Sequence, residues 1–173
     1  MTALDTDTQH VLPHPLVDVV QADVSATDLG TAEYDGVHAR LVLIHLPDRR
    51  EVLGDLARAL KPGAPLVISE WDCDYRDLVL DAPSRADGDL IDKYVETLIS
   101  FFETIGMDST WASKANRAMR EEGLEEIRTV TYAASSAGGT GTCLLNATVS
   151  QMVEGPLLAG GMTPDEPAAL PRA

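Results

Sequence analysis

Hydrophobic and polar positions along the chain form two kinds of pattern, and their alternation predicts an α/β protein. Residues 17–23 (VDVVQAD) and 65–72 (PLVISEWD) are short, largely apolar runs that each end in an acid. Such runs are typical of buried strands. Residues 34–39 (YDGVHA) form a weaker strand candidate, because Gly36 offers no side chain to pack. The first half of the chain is therefore predicted to contain several short strands.

A predicted helix connects residues 34–39 to residues 65–72. Its apolar positions share one face at helical spacing: Val52, Leu53, Leu56 and Leu60. Pro47 suits the first turn of a helix, and residues 61–63 (KPG) end it. A strand, a helix and a strand with short connections make a βαβ unit, which predicts parallel strands and a right-handed crossover.

The second half of the chain is predicted to be mainly helical. Residues 89–105 have a strong 3.6-residue hydrophobic period, and Gly106 ends this segment. Weaker patterns predict a helix at 109–122, a strand at 127–133, a loop at 135–141 and a helix at 143–153. Residues 156–173 are rich in Pro, Gly and Ala and are predicted to form a loosely held, flexible tail.

Composition and charge exclude several classes of function. The chain has 173 residues, enough for one domain with its own core. Its net charge of −15 would repel phosphate backbones and anionic lipid, so we expect neither a nucleic-acid nor a membrane partner. Without a long apolar run or a signal-like start, the expected location is the cytoplasm. The two cysteines and four histidines follow no ligand spacing, so no metal site is predicted.

An ordered series of segments carries a resemblance to a known family. The segments are 19–23 (VVQAD), 34–47 (YDGVHARLVLIHLP), 60–63 (LKPG) and 67–70 (VISE). In order and spacing they resemble the middle of the class I S-adenosylmethionine-dependent methyltransferases that act on small molecules. The resemblance implies a doubly wound, Rossmann-like α/β fold, with the cofactor at the carboxyl ends of the strands.

The same resemblance implies a domain plan in which part of the family fold is missing. Residues 1–155 would form an incomplete methyltransferase domain, with 88–122 as a helical lid and the helix after it, and 156–173 as the tail. Residues 2–5 (TALD) fit the end of the family's second strand, so the chain is expected to be N-terminally truncated, without the first strand and the glycine-rich loop. The glycine cluster at 138–141 follows the last strand-like segment and is interpreted as a flexible connection rather than a phosphate cradle.

The resemblance implies that the missing first strand is the central strand of the family's sheet, where it separates the second and fourth strands. Such a strand buries several apolar side chains, so its absence would cost on the order of 10 kcal/mol, comparable with the net stability of a domain. We therefore expect the family's second and fourth strands either to pair directly with each other or to leave the chain unstable. Exposed sheet edges would also permit the chain to associate into oligomers.

The resemblance assigns cofactor-binding roles to Asp5, Asp23, Val24, Ala39 and Arg40. Asp5 would accept hydrogen bonds from the ribose hydroxyls, and Asp23 would face the adenine amino group, with the Val24 N–H near a ring nitrogen. Backbone groups of Ala39 and Arg40 would meet the methionine portion. An alternative stays open for each acid. Asp5 is a polar residue of a frayed terminus, where a shift in strand register would put Asp7 in its place. Asp23 caps a loop.

The sequence indicates the catalytic and substrate-binding residues less clearly than the cofactor-binding residues. His45 is the candidate general base, because imidazole titrates near neutrality, or it orders the turn between strand and helix. Glu70, Trp71 and Asp72 end the family's fifth strand on the substrate side; they either orient the substrate or cap and pack the strand end. Aromatic side chains that either line the substrate pocket or pack in the core are Tyr94, Phe101 and Phe102.

More than one function is consistent with these observations. The first is methyl transfer from S-adenosyl-L-methionine to a small-molecule acceptor through O, N or C, which requires positioning more than a catalytic dyad. The second is a non-catalytic, methyltransferase-like fragment that acts as a binding or interaction module. A nicotinamide-dependent oxidoreductase is a third candidate, and the match around His45 and residues 60–63 argues against it.

Overall fold

The computed structural model describes residues 1–9, 11–74, 79–137 and 139–170. Over these residues the strands are β1 (Thr2–Asp5), β2 (Asp18–Gln21), β3 (Val37–Arg40) and β4 (Leu66–Ser69). The helices are α1 (Arg49–Ala59), α2 (Arg85–Thr104), α3 (Trp111–Glu121), α4 (Gly141–Met152), α5 (Glu154–Ala159) and α6 (Asp165–Ala169). Single 3₁₀ turns follow β2 at Val24–Ala26 and β3 at Leu43–His45.

The chain divides into two compact units. The first unit contains Met1–Trp71 and Lys114–Ile127, and the second contains Asp72–Ser113 and Arg128–Ala173. All four strands and α1 therefore lie in the first unit, whereas α2, α4, α5 and α6 lie in the second. The mixture of parallel strands and helices confirms the predicted α/β class.

The strands form two separate parallel sheets of two strands each. β1 pairs with β2, with Thr2 opposite Asp18, and β3 pairs with β4, with Val37 opposite Leu66. Within the described residues no pairing joins β1 to β3. The expected direct pairing of the family's second and fourth strands, which are β1 and β3 here, is therefore not found.

The core of the first unit is built around α1. The stripe predicted from the sequence is buried, since Val52, Leu53, Leu56 and Leu60 are each at most 8% exposed. Leu43 and Ile44, in the turn after β3, are buried with them, and α1 packs against that turn. The helix begins at Arg49, slightly later than Pro47 suggested. Helical periodicity thus predicted both the element and its buried face.

β2 forms where the sequence predicts it, but its burial was predicted wrongly. All four of its residues are exposed, including Val19 at 39% and Val20 at 41%. Successive side chains of a strand point to opposite faces, so both faces of β2 are open to solvent. β-branched residues favour extended backbone whether or not a second layer covers them, which is why the pattern indicated a strand correctly and its burial incorrectly.

The second unit has its own core, and the chain beyond residue 155 contributes to it. Tyr94 of α2 packs with Leu157, Met162 and Leu170, all at most 5% exposed. The Lys93 ammonium also pairs with the Glu166 carboxylate at 2.7 Å. The prediction of a loosely held tail is therefore wrong for residues 156–170, and 171–173 lie outside the described residues. A few well-spaced apolar positions order this segment despite its Pro, Gly and Ala content.

The remaining predictions for the second half met different outcomes. α2, α3 and α4 confirm the three predicted helices, although α2 begins at Arg85, after a cap by Ser84. The strand predicted at 127–133 is absent: the segment is irregular, and Tyr132 is 86% exposed. Gly139 and Gly141 have positive φ angles and lead into α4, whereas Gly138 is outside the described residues. No described helix is long and apolar enough to span a bilayer.

Candidate functional site

Two acids lie at the carboxyl edge of the first sheet. Asp5 ends β1 opposite Gln21, and its carbonyl accepts a hydrogen bond from the Ala22 N–H at 2.9 Å. Asp23 follows two residues after Gln21, and both aspartates are exposed. Because the strands are parallel, their last residues share one edge of the sheet. The structure thus brings together the two acids that the resemblance placed near the ribose and adenine.

The beginning of the chain is held in place around Asp5. The terminal ammonium of Met1 donates to the Leu16 carbonyl at 3.0 Å, and the Asp18 N–H donates to the Met1 carbonyl at 2.9 Å. Asp7 lies beyond the end of β1, where it accepts hydrogen bonds from Gln9. The strand end is therefore occupied by Asp5, which is not part of a frayed terminus.

Each of these two acids already orders its own loop. One oxygen of Asp5 accepts the Asp7 N–H at 3.0 Å, and one oxygen of Asp23 accepts the Ser25 N–H at 2.9 Å. The second bond caps the 3₁₀ turn that begins at Val24, so the loop-capping role considered for Asp23 is observed. A carboxylate offers about four acceptor positions. One bond to its own loop leaves it able to accept donors from a ligand.

The carboxyl edge of the second sheet carries the other cofactor-side residues. Ala39 is buried at 6% exposure and Arg40 is exposed at the end of β3. The next residue, Leu41, has a φ of +53°, a left-handed conformation that is uncommon for a bulky side chain. Its N–H donates to the Ser69 carbonyl at 2.8 Å. The chain therefore turns sharply at the strand end and stays bonded to β4.

One hydrogen bond links the segments that leave the two edges. The Ser25 hydroxyl, in the turn after β2, donates to the Asp48 carboxylate at 3.1 Å. Asp48 immediately precedes α1 and follows the turn that contains His45. The loops that carry Asp23 and His45 are therefore in direct contact within the first unit.

His45 ends the 3₁₀ turn Leu43–His45. Leu43 and Ile44 anchor this turn, being 0% and 1% exposed. His45 itself is exposed, yet local desolvation lowers the pKa of its imidazole from 6.5. The imidazole is therefore mostly neutral at pH 7, the form that accepts a proton. Both roles considered for His45, general base and ordering of the turn, remain consistent with this position.

Glu70 is the most perturbed acid at this edge. Its Oε1 accepts the Ile44 N–H at 3.3 Å, while its Oε2 is buried without a hydrogen-bond partner among the described residues. Burial raises the pKa of Glu70 to about 7, and hydrogen bonds from the Ile44 and Leu43 backbone, together with the charge of Arg49, oppose this rise only in part. The sequence placed Glu70 at the strand end but gave no sign that its side chain turns inward.

The residues predicted to contact substrate are divided between the two units. Trp71 is 46% exposed and ends the first segment of the first unit, whereas the others belong to the second unit. Asp72 is exposed and accepts the Asp74 N–H at 3.1 Å. Phe101 and Phe102 are half-buried, with their ring centroids 5.3 Å apart.

Tyr94 packs in the core of the second unit. It is 1% exposed within the core of the second unit, and its hydroxyl donates to the Asn146 carbonyl at 3.0 Å. Plain core packing, the alternative considered for this residue, is therefore its role in the structure.

The described part of the chain contains no group of three or more His, Cys, Asp or Glu side chains that could hold a metal ion.

Comparison with known proteins gives a partial match. Residues 2–68 match the family described as a methyltransferase domain. The chain is 36% identical over 75 residues to the O-methyltransferase cnsE of Penicillium expansum, covering 43% of this chain and 24% of that protein. It is 40% identical over 60 residues to an O-methyltransferase of Pyrenophora dematioidea, covering 35% and 20%. The matches thus span less than a quarter of either relative. No solved structure matches the chain.

Proposed function

We propose that the chain is a class I S-adenosylmethionine-dependent methyltransferase that transfers a methyl group from S-adenosylmethionine to a small-molecule acceptor, and the match of residues 2–68 to the methyltransferase-domain family supports this proposal. The observation that carries the proposal is the arrangement of acids and turns at the carboxyl ends of parallel strands, with the Ser25–Asp48 hydrogen bond joining the two loops. We take the acceptor atom to be oxygen, because both relatives are named O-methyltransferases.

The residues at the first edge fit the nucleoside portion of the cofactor. Asp5 and Asp23 are exposed and each keeps free acceptor capacity, so Asp5 would hold the ribose hydroxyls and Asp23 the adenine amino group. The Val24 N–H would lie toward a ring nitrogen. The backbone groups of Ala39 and Arg40 would meet the methionine portion.

This chain's own contribution to the reaction would be orientation and proton removal. S-Adenosylmethionine, when bound, supplies an electrophilic methyl group on its sulfonium. His45 would accept the proton from the acceptor hydroxyl at a ring nitrogen, because its lowered pKa keeps the imidazole neutral at pH 7. Arg40, at the end of β3, and Trp71, two residues after β4, are both exposed and would border the acceptor side.

A second function is favoured by one specific observation. β1 and β2 form a separate sheet whose second strand is exposed on both faces, so the edge that carries Asp5 has little support. An edge of this kind could bind a ligand or partner without turning it over. We therefore keep the non-catalytic binding module as the alternative.

Calorimetric titration of the full chain with S-adenosylmethionine tests the cofactor assignment. We expect Asp5→Asn and Asp23→Asn each to weaken binding by about tenfold or more, the usual effect of losing a charge-assisted hydrogen bond. Asp18→Asn is the matched control, because Asp18 is an exposed acid at the opposite end of β2. No heat at millimolar cofactor with the unsubstituted chain would overturn autonomous methyl transfer.

Transfer itself separates the two proposed functions. With a methyl-labelled cofactor and hydroxylated small molecules as acceptors, we expect label in the acceptor and a loss of about 100-fold or more in rate for His45→Gln. Unchanged cofactor affinity in that variant would assign the loss to proton removal. Cofactor binding without any transfer across the acceptors would favour the binding module.

A further inference from the structure

The turn after β3 (residues 41–45, hereafter the β3 turn) is held by contacts from three directions. Leu41 enters it with a φ of +53° and donates its N–H to the Ser69 carbonyl at 2.8 Å. The Arg49 guanidinium donates to the Leu43 carbonyl at 3.1 Å. The Ile44 N–H donates to Oε1 of Glu70 at 3.3 Å. An uncommon backbone conformation persists only where its surroundings hold it, and these bonds do so.

Glu70 differs from the other two anchors because it is an ionisable side chain. Ser69 contributes a backbone carbonyl, and Arg49 keeps its charge throughout the accessible pH range. The Glu70 carboxyl is half-buried, with Oε2 sealed from solvent and unpartnered among the described residues. A glutamine would offer the same acceptor oxygen without the expense of burying a charge. The acid therefore calls for an explanation beyond simple packing.

We propose that Glu70 is a positioning residue whose carboxyl group holds the β3 turn against β4 and thereby sets the position of His45 at the carboxyl end of β3. The hydrogen bond to Ile44 is the contact through which it acts, one residue before His45 along the chain. The inference rests on the proposed function only because His45 is assigned there as the general base. The contact itself and its response to the charge on Glu70 do not depend on methyl transfer.

The charge on Glu70 changes near neutrality. Burial raises its pKa to about 7. Arg49, at the start of α1, carries the charge that lowers the Glu70 pKa. Other ionisable groups on the neighbouring elements include His38 and Arg40 of β3, His45 in the turn, Asp48 just before α1 and the exposed Asp72 just after β4. An ionised carboxylate accepts a hydrogen bond more strongly than a neutral carboxyl does. The bond to Ile44 should therefore tighten as the pH rises through 7.

Nitrogen-15 NMR of the full chain tests this without any cofactor. We expect the Ile44 amide proton of the unsubstituted chain to shift with a midpoint near pH 7, and Glu70→Gln to remove that titration while keeping an acceptor oxygen. Glu51→Gln is the control, because Glu51 is an exposed acid in the first turn of α1. An Ile44 amide that does not respond to pH, or responds equally in Glu70→Gln, would overturn the proposal.

Hydrogen exchange at a fixed pH gives the second measurement. Glu70→Ala should lower the protection of the Ile44 amide by about tenfold or more, with amides in the middle of α1 unchanged. If that variant does not fold, the Glu70→Gln titration alone decides the question. Unchanged Ile44 protection in a folded Glu70→Ala variant would contradict the proposal.

The outcomes for the positioning role and for the proposed function are distinguishable. An Ile44 titration linked to Glu70, together with no heat on addition of S-adenosylmethionine, would support the positioning role and reject methyl transfer. If methyl transfer is observed, Glu70→Gln should change the pH profile of kcat around neutrality with little change in KM for the cofactor. A kcat profile identical to that of the unsubstituted chain would then contradict a positioning role for Glu70.

Discussion

The two parallel sheets of the first unit have the same construction but different surroundings. In the β3–β4 sheet Ala39 is buried, and β3 is followed by a buried turn at Leu43 and Ile44. The β1–β2 sheet has the same number of strands and residues, yet every residue of β2 is exposed. Pairing of strands alone therefore does not create a core. The difference lies beside the strands: α1 packs against the turn after β3, whereas both faces of β2 are open to solvent.

This difference has a functional counterpart. Asp5 and Asp23, which the proposed cofactor would contact, stand on the exposed sheet, while His45 and Glu70 stand beside the packed one. Burial raises the pKa of Glu70 and lowers that of His45. The packed region is thus where the pKa of an ionisable side chain is shifted, and the exposed region is where the proposed cofactor would be bound with little support from packing.

The largest predicted effect is on stability and tests the contrast in packing directly. Leu53→Ala, in the fully buried face of α1, should lower the free energy of unfolding by about 2–4 kcal/mol, because it leaves a cavity. Leu16→Ala makes the same chemical change just before β2, where the side chain is 74% exposed, and should alter stability by less than about 0.5 kcal/mol. Urea denaturation measures both.

Similar losses for Leu53→Ala and Leu16→Ala would contradict the contrast between the two sheets. A loss at Leu16 alone would show that the exposed sheet is the more strongly packed one. Exposed leucines elsewhere serve as further controls, and Leu12, at 84% exposure, is the nearest along the chain.

The second prediction concerns the pH dependence of stability near the packed sheet. The folded-state pKa of Glu70, about 7, lies above the unfolded value of 4.5, so the folded chain holds this proton more tightly. Its contribution to stability is therefore complete below about pH 4.5 and is lost as the pH rises through 7. After a discount for partial solvent screening, the loss is on the order of 2 kcal/mol.

The measurement is the difference between the unsubstituted chain and Glu70→Gln at each pH. Glu121 and Glu166 have pKa values lowered by their ion pairs and act in the opposite direction, but they are common to both proteins and cancel in the difference. The unsubstituted chain should lose stability relative to Glu70→Gln as the pH rises. A difference that is flat with pH, or that runs the other way, would contradict burial of the Glu70 carboxyl.

The elements whose signals are local could be predicted from the sequence. β-branched runs indicated β2 and β4, and the apolar stripe from Val52 to Leu60 indicated α1. Each of these depends on a few adjacent residues and their backbone preferences. The resemblance to the methyltransferases, rather than a local pattern, is what assigned Asp5 and Asp23 to a proposed site at the carboxyl edge of the strands.

The features that depend on distant contacts could not be predicted in the same way. The exposure of Val19, the burial of Leu157 and the missing strand around Tyr132 are all decided by what packs against these residues, which a local pattern does not contain. The inward turn of Glu70 belongs to the same class, because its partner Ile44 is 26 residues away along the chain. The positions of side chains were therefore predicted least well where they depend on packing between distant parts of the chain.

The smallest predicted effect tests whether the two regions act together. The Ser25 hydroxyl donates to the Asp48 carboxylate at 3.1 Å and links the loop after β2 to the start of α1. Ser25→Ala should destabilise the chain by about 0.5–1.5 kcal/mol, whereas Ser25→Thr keeps a hydroxyl and should lose less. Equal losses in the two variants would mean that the hydroxyl itself contributes nothing.

A double-mutant cycle isolates the link from other effects of each substitution. Ser25→Ala and Asp48→Ala should show a coupling energy of about 0.5–1 kcal/mol, because each removes the same hydrogen bond. Asp48 makes no side-chain capping bond to α1, so its substitution is not expected to disturb the helix start by that route. Coupling near zero would mean that the exposed and packed sheets are energetically independent. The loops that carry Asp23 and His45 would then need a ligand, rather than this hydrogen bond, to act as one site.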